Sequence, residues 1–281
     1  MDQGKIKELQ EMAMDIRRDV IRTARDCDEG VHVGGSLSMA EILAVLFFHV
    51  LRLDPKNPNW PDRDRFILSK GHGNIGLSSA MARRGFFSLD ELKRFDLMHA
   101  PLSMHIDKHR MPGVEISSGS LGHGLPVAVG LALAGRLDKA PWKVYCVIGD
   151  GEMMEGSMWE AMMSAAHYKL ENLTAVIDRN RFCLDGATEQ VMSLEPFVDK
   201  MRAFNWRVLE IDGHDVRAVV EAFASEDPSD HRPKLIVANT TKGKGVSFLE
   251  NTAKAHFAHM TPAEADAALA ELEIMAAGLK E

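Results

Sequence analysis

A chain of 281 residues with 46% hydrophobic content is long enough for one large α/β domain or two small ones. Its charge, 33 − 41 = −8, is spread without long single-sign blocks, which argues against a nucleic-acid partner. Cys27, Cys146 and Cys183 are odd in number and widely spaced, so they form neither a disulfide framework nor a zinc pattern and suit a reducing cytoplasm. The N-terminus has no signal-peptide core, and the most apolar run, Leu125 to Ala134, is too short to span a membrane.

Taken in order, Ile6, Leu9, Met12 and Ile16 at helical spacing predict a first helix over residues 5–27. A loop with three glycines (Glu29 to Ser36) then holds His32, and Ser38 reads as the N-cap of a second helix over residues 39–51. Pro, Asn and Asp make residues 54–64 a surface loop. Arg65 to Ser69 is a short strand running into Lys70-Gly71-His72-Gly73, which places a second histidine at a strand-to-helix turn. A third, His105, precedes a turn at Pro112-Gly113. Ser117 to Gly124 is a glycine-rich turn that opens an Ala/Gly/Leu helix to about Leu137. Its N–H groups suit a phosphate, although it has none of the Lys and Ser/Thr of a P-loop.

The stretch from Val144 to Thr188 is the most informative. Val144 to Ile148 is a β-branched and aromatic strand that runs into Gly149-Asp150-Gly151. Met158, Ala161, Met162, Ala165 and Ala166 mark a helix, and a second apolar strand, Leu173 to Ile177, delivers Asp178-Arg179-Asn180. The two strand ends share one edge of a mainly parallel sheet, where ligands sit. Asp150 and Asn180 then face each other across a crevice, a carboxylate and an amide oxygen suited to a hard divalent cation that holds phosphate oxygens.

Residues 206–211 and 234–237 read as further strands with a helix over 216–223 between them. Thr240 to Gly245 is another glycine turn at a strand end, followed by His256. Thr261, with Pro262 at the first helical position, opens a C-terminal helical tail over about 261–280, whose apolar face is expected to dock on this or a neighbouring subunit.

The GDG turn, the spacing of 180 − 150 = 30 residues to Asn180, and the flanks GDGEMMEGSMWEA and IDRNRFCLDGAT resemble the transketolase branch of the thiamine-diphosphate enzymes. The segments VHVGGSLSMAEILAVLF, ILSKGHGNIGLSSAM, MPGVEISSGSLGHGLPVAVG and TTKGKGVSFLEN resemble the same family in the same order. The resemblance implies a three-layer α/β/α fold in which residues 1–281 form a single diphosphate-binding domain. It implies thiamine diphosphate and Mg²⁺ (or Ca²⁺) as cofactors, with Asp150, Asn180 and the Phe182 carbonyl on the metal. His72 and Gly151 would touch the diphosphate, Gly119 and Leu121 the rings, and Leu184 would pack on the cofactor. His32, His105 and His256 would line the substrate channel and move protons, and Glu155 would join a carboxylate network at a subunit interface.

The family places its activating glutamate in a second, pyrimidine-binding domain, and the sequence stops where that domain would begin. The chain is then either a fragment or, as the expected terminal helix and complete first domain favour, a natural subunit of a split, α2β2 transketolase, active only with its partner and transferring a two-carbon ketol unit from a ketose to an aldose. Val33, Ile106-Asp107, His123 and Phe257 depart from the residues usual in the family (Pro, Pro-Glu, Gln and Gly) and alter the pocket walls. A pentose phosphate, a branched sugar phosphate and a sulfonated sugar all stay open as substrates. Other readings open at this point are a subunit of a 2-oxo acid dehydrogenase, the synthase of deoxyxylulose phosphate, and a catalytically silent regulatory homologue. A nicotinamide-binding Rossmann domain is disfavoured because no GxGxxG follows an early strand.

Overall fold

The computed structural model describes residues 1–279. Five strands, β1 (Arg65–Leu68), β2 (Val144–Gly149), β3 (Leu173–Arg179), β4 (Arg207–Asp212) and β5 (Lys234–Asn239), form a sheet in the order β1-β2-β3-β5-β4. Every pairing is parallel. The helices in the first half are α1 (Gln3–Asp26), α2 (Gly34–Ser38), α3 (Ala40–Val45), α4 (Asn74–Arg84) and α5 (Gly124–Leu137). Those in the second half are α6 (Gly156–His167), α7 (Thr188–Val191), α8 (Phe197–Ala203), α9 (Val216–Ala224) and α10 (Pro262–Gly278).

The layers follow from the two-residue alternation of strand side chains. Along β2, Tyr145 and Val147 join one core with α1, α3, α4 and α9, whereas Val144, Cys146 and Ile148 join the other with α5, α6 and α8. Both faces are covered, so β2 and β3 are buried at every position and read as continuous apolar runs. The edge strand β4 is exposed at alternate positions near its end. This is the expected α/β/α architecture, and it leaves the carboxyl ends of β1, β2, β3 and β5 free to carry polar loops.

Thr261 and Glu264 form a reciprocal capping box, and α10 packs on α1 of the same chain, with Arg18 and Glu273 paired at 2.7 Å. Position 280 of the expected tail lies outside the described residues.

The expected second helix is corrected. Helix begins at Gly34, breaks at Met39 and ends in a wider turn over Leu46–Val50. Ser38 is not a cap: its hydroxyl lies 3.2 Å from the Gly35 carbonyl and 2.6 Å from Asp178, a partner 140 residues away that local sequence does not reveal. Gly34 is required where the chain passes Ala255, since a Cβ there would stand 2.6 Å from the Ala255 carbonyl oxygen. Trp206 also lies outside the strand expected to include it; it is buried, with its indole N–H on the Met162 carbonyl.

Candidate active site

The end of β2 supplies Asp150. One carboxylate oxygen accepts the Gly151 N–H at 2.8 Å; the other accepts the Arg181 N–H at 2.6 Å and the Arg179 guanidinium at 3.1 Å. Burial pushes the Asp150 carboxyl above its usual range, and Asp178 adds to that push while Arg179 opposes it. Arg179 is itself buried and reaches on to Glu189 and Glu195, so the loop after β3 is fastened to the acid it encircles.

The end of β3 supplies Asn180, whose side-chain oxygen accepts the Phe182 N–H at 3.2 Å. Asp150, Asn180, Phe182, Gly151, Leu121, Leu184, His72 and His256 all line one cavity of about 250 Å³. Gly151 leaves the space a backbone-close ligand needs, since a Cβ there would stand 2.8 Å from that of Cys183. Leu184 projects into the open mouth and is 61% exposed. The oxygen set of one carboxylate, one amide and one backbone carbonyl fits a hard cation that keeps sites for phosphate and water. No group of three His, Cys, Asp or Glu side chains gathers around a metal-sized point among the described residues.

Two lysines in the cavity have no role that the sequence alone assigns. Lys70, at the end of β1, is buried against Asp178 and the Gly35 carbonyl. Lys242, after β5, donates to the carbonyls of Phe182 and Cys183 at 3.1 and 3.2 Å and to His256 Nδ1 at 2.9 Å. Burial, with Lys70 nearby, lowers the Lys242 ammonium to about 8. Their sequence signal is position alone, a Lys in each of two glycine turns at strand ends. Glu152 is a third residue that sequence reasoning misses. It is buried in the GDG turn and accepts Ser69 Oγ and the N–H groups of Gly122 and Gly149, tying the glycine-rich loop to β1 and β2.

The histidines converge from distant segments. The His32 ring lies 5.4 Å from His72, 5.6 Å from His105 and 5.3 Å from His256, and His72 stacks on His256 at 5.1 Å. A two-residue bridge aligns two of them, with N–H···O bonds of 2.9 Å in both directions between Val31 and Ala258. Gly119 packs under His105, where a Cβ would approach its ring to 3.0 Å. Burial, then His105, Lys242 and Lys70, lowers His32 to about 4; burial, then Lys242, lowers His256 to about 3; burial and Lys70 hold His72 well below its ordinary value. These three rings are neutral at pH 7 and can both donate and accept hydrogen bonds. His32 Nδ1 is buried without a hydrogen-bond partner among the described residues.

Two residues stand apart. His123 is exposed at the start of α5, away from this ring cluster. Glu155 is exposed on the surface of this chain beside Gly122.

An open parallel sheet with a hard-oxygen crevice at its strand ends and a histidine cluster beside it defines a diphosphate-binding α/β domain. The family described as transketolase, thiamine diphosphate binding domain, matches residues 8–275, and this chain belongs to it. The chain is 44% identical over 242 residues to a 6-deoxy-6-sulfo-D-fructose transketolase subunit of Clostridium sp. (strain MSTE9), covering 86% of this chain and 88% of that one. It is 42% identical over 268 residues to an apulose-4-phosphate transketolase subunit of Actinobacillus succinogenes, covering 95% and 96%. Among solved structures, transketolase from Leishmania mexicana superposes with a TM-score of 0.84 at 27% identity, covering 98% of this chain and 45% of that one. For transketolase from Campylobacter jejuni the values are 0.82, 29%, 100% and 48%. The chain thus spans about half the length of these solved transketolases.

Proposed function

We propose that this chain is the diphosphate-holding subunit of a two-subunit transketolase, passing a two-carbon ketol unit from a ketose to an aldose. The carrying observation is the convergence of Asp150, Asn180 and Phe182 on one cavity that His72 and His256 also line. In this reading residues 1–281 form a single diphosphate-binding domain, and the other half of the active site comes from a partner subunit with a pyrimidine-binding domain and its glutamate. The relatives' names as subunits, and the half-length match to the solved enzymes, support that division. An α2β2 assembly in a reducing cytoplasm suits the three free cysteines and the exposed Glu155 and Leu184.

When bound, thiamine diphosphate supplies the carbon nucleophile for breaking and making the bond beside a carbonyl. Asp150, Asn180 and the Phe182 carbonyl would hold Mg²⁺ or Ca²⁺ against the diphosphate, with Gly151, His72 and Lys242 around it. Gly119 and Leu121 would meet the rings and Leu184 would cover them. His32, His105 and His256, being close together, can hydrogen-bond successive hydroxyls of a sugar. His256, held through Nδ1 by Lys242, has Nε2 as its other site for taking or giving a proton. Glu155 would join a carboxylate network across the assembled interface. The substrate is read as an anionic ketose, the class that the two relatives are named for.

The test is reconstitution. The chain with its partner, thiamine diphosphate and Mg²⁺ is expected to transfer ketol units from an anionic ketose, whereas the chain alone is inactive. Stoichiometric transfer by the pure chain would refute the division of labour; an assembled pair inert on every ketose of a panel would refute the activity.

A further inference from the structure

A carboxylate outside the expected ligand set is buried against Lys70 and Asn180, two residues that line the cavity. Asp178, the penultimate residue of β3, is fully buried and accepts hydrogen bonds from four directions. Its Oδ2 takes Ser38 Oγ of α2 at 2.6 Å, the Lys70 ammonium at the end of β1, and the Asn180 amide nitrogen at 3.1 Å. Its Oδ1 takes Thr240 Oγ1 at the end of β5. With about four lone-pair sites on a carboxylate, the oxygen facing Asn180 has no capacity left for a cation. Burial alone would raise this carboxyl, but Lys70 and the hydroxyl donors outweigh it and hold Asp178 below the usual range.

The arrangement fixes which way Asn180 points. Its nitrogen rests on Asp178 Oδ2, with Ser38 Oγ at 3.4 Å, while its oxygen is turned to the Phe182 N–H. Turning the amide over would set two acceptors against each other in a buried site and leave the Phe182 N–H facing a donor.

We propose that Asp178 is the positioning residue of the cation site: it selects the oxygen-outward orientation of Asn180 and clamps the ends of β1, β3 and β5 around it. The clamp spans the two lysine-bearing turns, since Lys70 bonds Asp178 directly and Thr240 lies two residues before Lys242. The site is therefore set before a cation and diphosphate arrive. This inference rests on the diphosphate reading above and deepens it.

The experiment is a double-mutant cycle on binding, read by isothermal titration of the chain assembled with its partner, using thiamine diphosphate with Mg²⁺. Asp178→Asn keeps the shape and is expected to weaken binding about 10- to 100-fold, the range for groups that orient metal ligands. Asn180→Ala should lose at least as much, and the double variant should be no worse than the poorer single, because one residue acts through the other. If the two losses multiply, or if Asp178→Asn binds as tightly as wild type, the proposal is overturned. Should Asp178→Asn fail to fold, Ser38→Ala takes its place in the same cycle, and the same two results overturn the proposal. A wild type that binds neither ligand overturns the diphosphate reading and this proposal together; a binding wild type with multiplying losses overturns only the proposal.

Discussion

At one end of the crevice the carboxylates of Asp150 and Asp178 have every oxygen engaged by arginine, lysine, hydroxyl or backbone donors. At the other end, three histidine rings crowd within 5.6 Å of His32, and His32 Nδ1 has no hydrogen-bond partner among the described residues. The first region holds charge by pairing it. The second avoids charge, because burial and the two lysines keep His32, His72 and His256 neutral. A fully paired network suits rigid placement of a highly charged group, whereas neutral rings with spare hydrogen-bonding capacity suit a hydroxyl-rich ligand that comes and goes.

Substitutions at the two ends can break this contrast. Asp150→Ala should cause the largest loss. It removes the carboxylate from the cation site and takes one of three carboxylate partners from the buried Arg179, which keeps Glu189 and Glu195, a lesion of about 1.5–3 kcal/mol on the scale of a hydrogen bond to a charged group. Chemical denaturation should show the instability, and the stabilisation by thiamine diphosphate with Mg²⁺ should vanish. Retention of that stabilisation would remove Asp150 from the site.

His256→Ala should separate the two regions. In the assembled enzyme, kcat/KM for the ketose should drop about 100-fold, the lower range for a group that moves a proton. The thiamine diphosphate response should survive, because Lys242 keeps the Phe182 and Cys183 carbonyls as partners. Equal losses in both measurements would show that the two ends act as one.

The pH dependence of folding sharpens the same point. His32 falls from 6.5 to about 4 on folding, so between those values the unfolded chain binds a proton that the folded chain refuses. The His32 contribution to stability should therefore fall as pH drops from 6.5 towards 4 and level off below, and His32→Asn should reduce the overall slope between denaturation curves at pH 7 and 4.5. An unchanged slope would place His32 in water rather than in a buried cluster.

The smallest effect is expected at Phe257. Its ring meets His32 edge-on at 5.1 Å while 44% exposed, so Phe257→Ala should cost about 0.5–1.5 kcal/mol by the scale of aromatic pairs. Thermal unfolding measures it, and a loss above about 3 kcal/mol, the scale of a fully buried side chain, would show that the cluster depends on this wall.

The positions of the five strands and the major helices were legible because alternation and helical spacing are local signals. Asp150 and Asn180 were legible for a related reason: strand ends in a parallel sheet share one edge, so motif position alone places them. Ser38 shows the limit. A serine before an apolar run signals a cap, but its hydroxyl goes to Asp178, whose nearness depends on β1, β3 and β5 lying in order. Lys70, Lys242 and Glu152 were similarly opaque, since a polar residue in a glycine turn looks solvent-exposed until the partners that bury it are known.

By itself the sequence determined the layers, the family and the residues at the strand ends, because period, turn chemistry and motif spacing are written in neighbouring positions. Only the tertiary structure decided which polar groups are paired and which are left waiting. That depends on segments more than a hundred residues apart, such as Ser38 and Asp178 or Lys70 and Asp178, meeting in a space from which water is excluded. In such a space an unmatched donor or charge is costly, so the fold, rather than the local chain, assigns each side chain its partner.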